Sequence, residues 1–266
     1  MTDKPLVGMN DTPWSGEQYP GKPEHRFAEA SVDPEALFPP SPEIAERAMR
    51  IGAARRLNDW PALCQYRADN AALTASGIRP QVVFIGDSLT ELWRVADPSL
   101  FSANVVNRGI SGQTSQQIVA RFYTDAIRLR PRVIHVLCGG NDIAGNTGPT
   151  TLEDYGSNML AMFDMAKANG IAVIVGGLTP ANGIPWQPEV DAGRWLPEVR
   201  TWLEHTAQQR GLVFADYHSA LADEHGGLAA HLTKDGVHLT RPGYALMRPV
   251  ALAAIDRALA QGGQTA

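Results

Sequence analysis

Short apolar runs alternate with helical periodicity along the chain after residue 80. Five Val- and Ile-rich runs of strand length predict strands at 81–85, 104–107, 132–138, 171–175 and 212–215. The spacing between them predicts helices that begin near residues 89 and 113, and helices over 152–169, 189–210 and 242–260. Strands that alternate with helices in this way are typical of a parallel sheet covered by helices on both faces, which is the α/β class.

The first eighty residues lack this alternation. Residues 1–40 are rich in Pro, Gly and charged residues and show no periodicity, which predicts an extended N-terminal arm. Helical spacing then predicts one helix over 44–54 and a second over 60–75, which ends near Gly77. We find no repeat or linker inside residues 41–266, so the sequence predicts a single domain over that range, preceded by the arm.

The carboxyl ends of the predicted strands carry the candidate chemistry, because ligands of open α/β sheets bind there. Residues 86–90 read Gly-Asp-Ser-Leu-Thr and place Ser88 between a buried strand and a helix. Serine is a weak nucleophile that needs a base, usually a histidine oriented by a carboxylate. The alternative is that Asp87 or Ser88 only caps the helix that follows.

Two further strand ends offer groups that could bind developing negative charge. In the segment 107–114, the N–H of Gly112 could join an oxyanion hole, although a tight turn would also favour glycine there. Ser111 is a rival nucleophile, but its surroundings lack the final glycine of the nucleophile elbow. In the segment 138–142, the amide of Asn141 is suited to donate to an oxyanion, or else Asn141 only occupies a turn.

A candidate base lies in the segment 234–240, which reads Lys-Asp-Gly-Val-His-Leu-Thr. With Asp235 three residues before His238, the carboxylate can reach Nδ1 and leave Nε2 to face a serine. The alternative is a surface loop with a solvated aspartate. Of the six other histidines, His135 lies inside a predicted strand and is expected in the core or at its rim.

In their order along the chain, these segments resemble the four blocks of the GDSL esterase/lipase family, also called SGNH hydrolases. The blocks correspond to Gly-Asp-Ser-Leu at 86–89, to Gly112, to Gly-x-Asn-Asp at 139–142 and to Asp-x-x-His at 235–238. The match spans residues 82 to about 246 and does not extend to the first eighty residues.

The resemblance implies a three-layer α/β/α sandwich around a five-stranded parallel sheet of the flavodoxin-like type. It further implies ester hydrolysis without a metal or an organic cofactor. The implied catalytic triad consists of Ser88, Asp235 and His238. The implied oxyanion hole consists of the N–H of Ser88, the N–H of Gly112 and the side-chain amide of Asn141.

The preferred substrate hypothesis is a small-acyl ester, such as an O-acetyl group on a carbohydrate. Trp186 and Trp195 follow the fourth predicted strand and could offer an aromatic surface to a sugar ring, or could only cover the core. A lysophospholipase or lipase, or a thioesterase with the same triad, is the alternative.

A non-catalytic binding module would have lost triad or oxyanion residues, and none is lost here. Dinucleotide and phosphate binding are not favoured, because the chain lacks a G-x-G-x-x-G motif after the first strand and a P-loop lysine.

Charge and composition further limit the classes of binding partner that we expect. A net charge of −5 and a pI near 5.8 give no electrostatic footprint for nucleic acid or for an anionic membrane. No apolar run reaches the length of a membrane span or a signal peptide, so we expect a cytoplasmic protein, or a periplasmic or secreted one whose leader was removed. The expected partner is therefore a small-molecule ester. Cys64 and Cys138 are predicted to be buried free thiols.

Overall fold

The computed structural model describes residue 46, residues 59–102 and residues 104–262. The predicted arm and nearly all of the helix predicted over 44–54 lie outside the described residues; within that helix, Glu46 is described and is helical. The strands are β1 (Val82–Gly86), β2 (Val105–Gly109), β3 (Val133–Leu137), β4 (Ala172–Gly176) and β5 (Val213–Ala215). From residue 59 onwards the helices are α1 (Arg67–Ala75), α2 (Ser88–Ala96), α3 (Ser115–Asp125), α4 (Gly140–Ile143), α5 (Leu152–Ala168), α6 (Ala192–Arg210), α7 (Tyr217–Leu221) and α8 (Arg241–Gly262).

The five strands form one sheet in the order β2-β1-β3-β4-β5, and each neighbouring pair is parallel. This is the flavodoxin-like order, and it confirms the predicted fold class. Gly86 at the end of β1 lies opposite Gly109 of β2 and Leu137 of β3. Because these three strands end level with one another, the loops that follow them leave the sheet side by side.

Helices cover both faces of the sheet. On one face, Trp93 of α2 packs its ring edge-on against Phe84 of β1, with ring centroids 5.6 Å apart, and also contacts the rings of Tyr217 and Tyr244. On the other face, α3 packs against α5, and Tyr155 of α5 meets α6. The strand side chains of β1 and β3 are fully buried between these layers, which is why both strands read as continuous apolar runs.

His135 belongs to this core. Its ring stacks on that of Phe84, with centroids 4.4 Å apart, and its Nε2 lies 2.7 Å from the hydroxyl oxygen of Tyr217. Burial lowers the pKa of His135 to about 3, so the imidazole is neutral at physiological pH. The histidine is therefore a structural residue, as its position inside a strand predicts.

The helix predicted over 60–75 is wrong in its first half, because α1 begins only at Arg67. The carboxylate of Asp59 accepts the backbone N–H groups of Leu63 at 2.8 Å and Cys64 at 2.9 Å, which closes a turn. Ala62 adopts a positive φ of 58°, which a right-handed helix does not allow. The chain therefore folds back before α1, and the Tyr66 hydroxyl donates to the carbonyl of Gly109 at the end of β2.

Both cysteines are free thiols, as predicted, but only Cys138 is fully buried, whereas Cys64 is half-buried in the turn before α1. Among the described residues, no helix combines the length and the apolar character that crossing a membrane requires.

Candidate active site

Ser88 is placed by the junction of β1 with α2. Asp87 is the N-cap of α2, and its carboxylate accepts the N–H of Leu89 at 3.0 Å. Asp87 thus does the capping, while Ser88 is the first residue of the helix. A backbone N–H in the first turn has no acceptor within the helix, so that of Ser88 can bind an anion.

The loop before α8 holds Asp235 and His238. Thr233 pairs with Leu239 in an isolated antiparallel bridge, and the carbonyl of Gly236 accepts the N–H of Asn182 at 3.0 Å. These contacts fix both the base of the loop and its tip. The three-residue spacing then folds the carboxylate of Asp235 back onto the imidazole of His238.

The three side chains form a continuous hydrogen-bonded chain. His238 Nε2 lies 3.0 Å from Ser88 Oγ, and His238 Nδ1 lies 2.7 Å from Asp235 Oδ2. The other carboxylate oxygen, Oδ1, accepts the backbone N–H groups of His238 at 2.7 Å and Val237 at 2.9 Å. Residues 150 positions apart in sequence are thereby brought into contact, in the arrangement by which a histidine can take a proton from a serine.

Asp235 is held in its charged form. Burial alone would raise the pKa of this carboxyl, but the hydrogen bonds and electrostatic attraction of His238, together with the N–H of Val237, bring it below its usual value. An ionised Asp235 accepts the Nδ1 proton of His238, and this leaves Nε2 unprotonated and facing Ser88.

Asn141 lines the same pocket as Ser88. It is the second residue of the short helix α4, directly after β3. Its Nδ2 donates to the carbonyl of Gln113 at 3.0 Å, and its Oδ1 accepts from Nδ2 of Asn146 at 2.8 Å. An amide nitrogen carries two hydrogens, so Nδ2 of Asn141 keeps one for a ligand.

Gly112 lies one residue before Gln113 in the loop after β2. It has a φ of 80°, a conformation that side-chain-bearing residues rarely adopt, and its carbonyl accepts from Asn146 at 3.3 Å. The structure therefore places Gly112 beside Asn141, although Gly112 is not among the residues that line the pocket.

The rival nucleophile Ser111 is directed elsewhere. Both its backbone N–H, at 2.8 Å, and its hydroxyl donate to the buried carboxylate of Glu91 on α2. Its hydroxyl is therefore engaged with a carboxylate, whereas the hydroxyl of Ser88 faces His238. The contact of Ser111 with Glu91 ties the loop that carries Gly112 to the helix that begins at Ser88.

Two buried carboxyl groups, those of Asp87 and Asp142, hydrogen-bond to the elements that carry the site residues. The pKa of Asp87 is raised to about 7, mainly by burial and also by the nearby Asp142, although the hydrogen bond from the N–H of Leu89 opposes the shift. Burial likewise raises the pKa of Asp142 to about 6, against hydrogen bonds from the backbone N–H and the hydroxyl of Ser115. Asp142 thereby joins α4 to the start of α3, just after the loop of Gly112.

Arg121 supports the site in a way that sequence analysis does not reveal. Its side chain is fully buried and pairs with Asp125 at 3.2 Å. It also donates to Oε1 of Gln113 at 2.6 Å and to the carbonyl of Gly86 at 3.0 Å. One guanidinium therefore contacts both the strand end before Ser88 and the loop after Gly112. The only signal in the sequence for the burial of Arg121 is its position on the inward face of α3.

The pocket beside Ser88 is small, with a volume of about 40 Å³. Its lining is mostly apolar, and Trp186 stands at its edge, 42% exposed. The indole ring lies nearly parallel to the imidazole of His238, at an angle of 29° and with centroids 5.9 Å apart. The apolar part of the lining comprises Leu89, Leu137, Cys138, Leu178, Ala181, Ile184, Leu196 and Val237.

Trp195 differs from Trp186, because it does not line the pocket and instead packs against the guanidinium of Arg194, 4.6 Å from the ring centre. Within the described part of the chain, no group of three or more His, Cys, Asp or Glu side chains is arranged to hold a metal ion.

Comparison with known proteins identifies similar sequences and folds. The sequence model described as the GDSL-like lipase/acylhydrolase family matches residues 84–246, more than half of the chain. A candidate acylhydrolase from Bacteroides fragilis is 36% identical, with a TM-score of 0.72 over 76% of this chain and 99% of that one. A GDSL-like lipase from Bacteroides thetaiotaomicron is 35% identical, with a TM-score of 0.70 over 75% of this chain and 100% of that one.

A more distant structure is an acetylxylan esterase from Geobacillus stearothermophilus. It is 21% identical, with a TM-score of 0.56 over 65% of this chain and 93% of that one, and at this identity the likeness concerns the fold alone. Comparison with the curated proteins found no significant match.

Proposed function

Because the chain belongs to the GDSL-like lipase/acylhydrolase family and is a carboxylic ester hydrolase, we propose that it cleaves small-acyl esters through an acyl-enzyme on Ser88. The observation that carries this proposal is the hydrogen-bonded chain from Asp235 through His238 to Ser88. Ser88, at the end of this chain, lines the small pocket. The proposed roles are those that geometry favours: Ser88 as nucleophile, His238 as base and Asp235 as the group that orients the base.

In the proposed acylation step, Nε2 of His238 takes the proton of Ser88 Oγ as that oxygen attacks the ester carbonyl. The carbonyl oxygen becomes an oxyanion, which accepts from the N–H groups of Ser88 and Gly112 and from Nδ2 of Asn141. When the carbon–oxygen bond to the alcohol breaks, His238 returns its proton to the leaving oxygen. A water molecule then attacks the acyl-enzyme by the same route, which releases the acid and restores Ser88.

The size of the pocket supports a short acyl group. A single buried water needs roughly 10–15 Å³ of such space, so 40 Å³ accommodates about three groups of that size. An acetyl group fits, whereas an eight-carbon chain would need the walls to move. The apolar lining suits the methyl end of the acyl group, since no hydrogen-bonding partner is required there.

The neighbouring groove favours a polar alcohol. It has a volume of about 790 Å³ and shares Leu178, Thr179, Ala181 and Leu196 with the acyl pocket. The lining of the groove is both polar and apolar, whereas that of the acyl pocket is mostly apolar, and the polar part of the groove suits sugar hydroxyls. The exposed ring of Trp186 adds an aromatic face of the kind that suits sugars. We therefore favour carbohydrate O-acetyl groups over lysophospholipids or thioesters. The ionisable residues that line the groove are Asp191, Arg200, His218, Asp223 and His225.

The acyl preference is tested with p-nitrophenyl acetate, butyrate and octanoate. We expect kcat/KM to be highest for acetate and to fall by about tenfold or more at octanoate. Leu178→Ala removes part of the wall between the pocket and the groove, and should therefore raise the octanoate-to-acetate ratio. Leu246→Ala, an exposed position on α8, is the matched control and should leave the ratio unchanged. A wild-type preference for octanoate would instead support a lipid-directed enzyme.

Removal of the side-chain amide of Asn141 tests the proposed oxyanion hole. In comparable sites the loss of one donor lowers turnover by about 10²–10³, so Asn141→Ala should lose that much kcat with little change in KM. Asn169→Ala, which removes an amide at the exposed end of α5, serves as the control. If Asn141→Ala kept most of the wild-type kcat while folding normally, its amide would not bind the oxyanion.

A further inference from the structure

Asn146 connects three separate parts of the site. It lies in the turn after α4, where its backbone N–H donates to the carbonyl of Asn141 at 3.1 Å. Its side-chain Nδ2 donates to Oδ1 of Asn141 at 2.8 Å and to the carbonyl of Gly112 at 3.3 Å. Its side-chain Oδ1 accepts the indole N–H of Trp186 at 3.2 Å. Asn146 therefore contacts both non-serine members of the proposed oxyanion hole and the tryptophan at the pocket edge.

Trp186 determines which way the Asn146 amide points. An indole nitrogen can only donate a hydrogen bond, so the atom of Asn146 that faces Trp186 has to be the oxygen. The NH₂ group of Asn146 then faces the opposite side, where the carbonyl of Gly112 and Oδ1 of Asn141 can accept from it. A reversed amide would set two donors against each other at Trp186 and two acceptors at Gly112.

The same reasoning carries over to Asn141. Since Asn146 presents its NH₂ group, Asn141 has to present its oxygen to Asn146, and its own NH₂ group donates to the Gln113 carbonyl and keeps its second hydrogen for a ligand. Two neighbours, Asn146 on one side and Gln113 on the other, thus select the one orientation in which Asn141 can donate to an oxyanion.

We infer that Asn146 is a positioning residue for the oxyanion hole, and that Trp186 acts through it. The inference rests on the proposed function, because it presumes that Asn141 binds the oxyanion. The chain of fixed donors and acceptors runs from the indole N–H through Asn146 to Asn141. Since the ring of Trp186 also lies over His238, one tryptophan contacts the base and orients the oxyanion donor.

The kinetic test compares Asn146→Leu, Trp186→Phe and the double variant on p-nitrophenyl acetate. Leucine is close to asparagine in size but cannot donate to Asn141, so kcat should fall about tenfold while KM stays within about twofold. Phenylalanine retains a ring beside His238 and removes only the indole N–H, so kcat should fall by about threefold. Because Trp186 acts through Asn146, the double variant should have the kcat of Asn146→Leu alone.

Two outcomes would overturn the inference. One is a wild-type kcat in Asn146→Leu, and the other is a double variant whose loss in kcat is the product of the two single losses. Trp195→Phe is the matched control, since its ring lies outside the pocket lining, and its kcat should equal the wild-type value. Ser88→Ala is measured alongside. If it kept its activity the proposed function would fail and the positioning role with it, whereas a normal Asn146→Leu beside an inactive Ser88→Ala would overturn the positioning role alone.

A spectroscopic test is independent of turnover. The chain has six tryptophans, and the indole N–H resonance of Trp186 is identified by its loss from the ¹H–¹⁵N spectrum of Trp186→Phe. In Asn146→Leu this resonance should shift, because its acceptor is gone, while the resonances of the other tryptophans should stay in place. An unshifted resonance would show that Asn146 does not hold the indole, and would overturn the inference.

Discussion

Replacing Ser88 with alanine is expected to lower kcat/KM for p-nitrophenyl acetate by about 10⁴- to 10⁶-fold, to the level that the remaining site can support. In serine hydrolases the loss of the nucleophile alone costs nearly as much as the loss of the whole triad, because the three residues act as a unit. The substitution should not disturb the fold, since the capping bond of α2 comes from Asp87 and not from Ser88. The measurement is steady-state hydrolysis beside a thermal unfolding curve.

Two serine controls make this result specific. Ser157→Ala removes a hydroxyl on the exposed face of α5 and should retain full activity. Ser111→Ala removes a hydroxyl that contacts Glu91, so a modest loss is expected as the Gly112 loop loosens. A fluorophosphonate reagent should add its mass to the peptide that contains Ser88 in the wild type. Labelling at Ser111, or activity that survives in Ser88→Ala, would assign the nucleophile to another residue.

The sheet could be predicted from the sequence because its physical signal is strong. Strands that are buried on both faces need continuous Val and Ile, and β1 and β3 show such runs within one or two residues of their observed bounds. The contact of Asp235 with His238 was equally predictable, since both lie on one loop at a spacing of three residues. Both predictions rest on information that is local in the sequence.

The contact between Ser88 and His238 is not local, because it joins residues 150 positions apart. Two facts made it predictable: the carboxyl ends of parallel strands meet at one edge, and the order of the four blocks resembles a known family. Neither fact predicts the distance between the two side chains. The roles of the five site residues stay predictions that the experiments above address, whereas their arrangement in space is now described.

Other features depend on tertiary contacts that leave little trace in the sequence. The residues before α1 have helical composition, yet the chain turns at Ala62, and the Tyr66 hydroxyl donates to the carbonyl of Gly109, 43 positions away. Arg121 resembles a surface residue of an amphipathic helix until its partners at Gly86 and Gln113 are known. Asn146 lies in a turn of Gly, Asn and Thr, where asparagine is common for local reasons alone. In each case the deciding partner is distant, or the residue type has a more ordinary local explanation.

Asp235→Asn should lower kcat/KM by about 10⁴-fold, although asparagine is nearly identical to aspartate in shape. The backbone N–H groups of His238 and Val237 donate to Oδ1, so the amide of the variant has to place its oxygen there. Its NH₂ group then faces Nδ1 of His238, which can only accept from it. The imidazole proton therefore moves to Nε2, and a protonated Nε2 cannot take the proton of Ser88.

The tautomer itself can be measured, which separates this explanation from a loss of stability. The ¹⁵N shifts of the His238 ring should show Nδ1 protonated in the wild type and Nε2 protonated in Asp235→Asn, at a pH where the ring is neutral in both. Asp164→Asn, which alters an exposed carboxylate paired with Arg210, should change neither the shifts nor the rate. If Asp235→Asn lost less than tenfold, or kept its proton on Nδ1, Asp235 would not be the group that orients the base. The triad would then have to be completed by a different carboxylate, or would function as a Ser88–His238 pair.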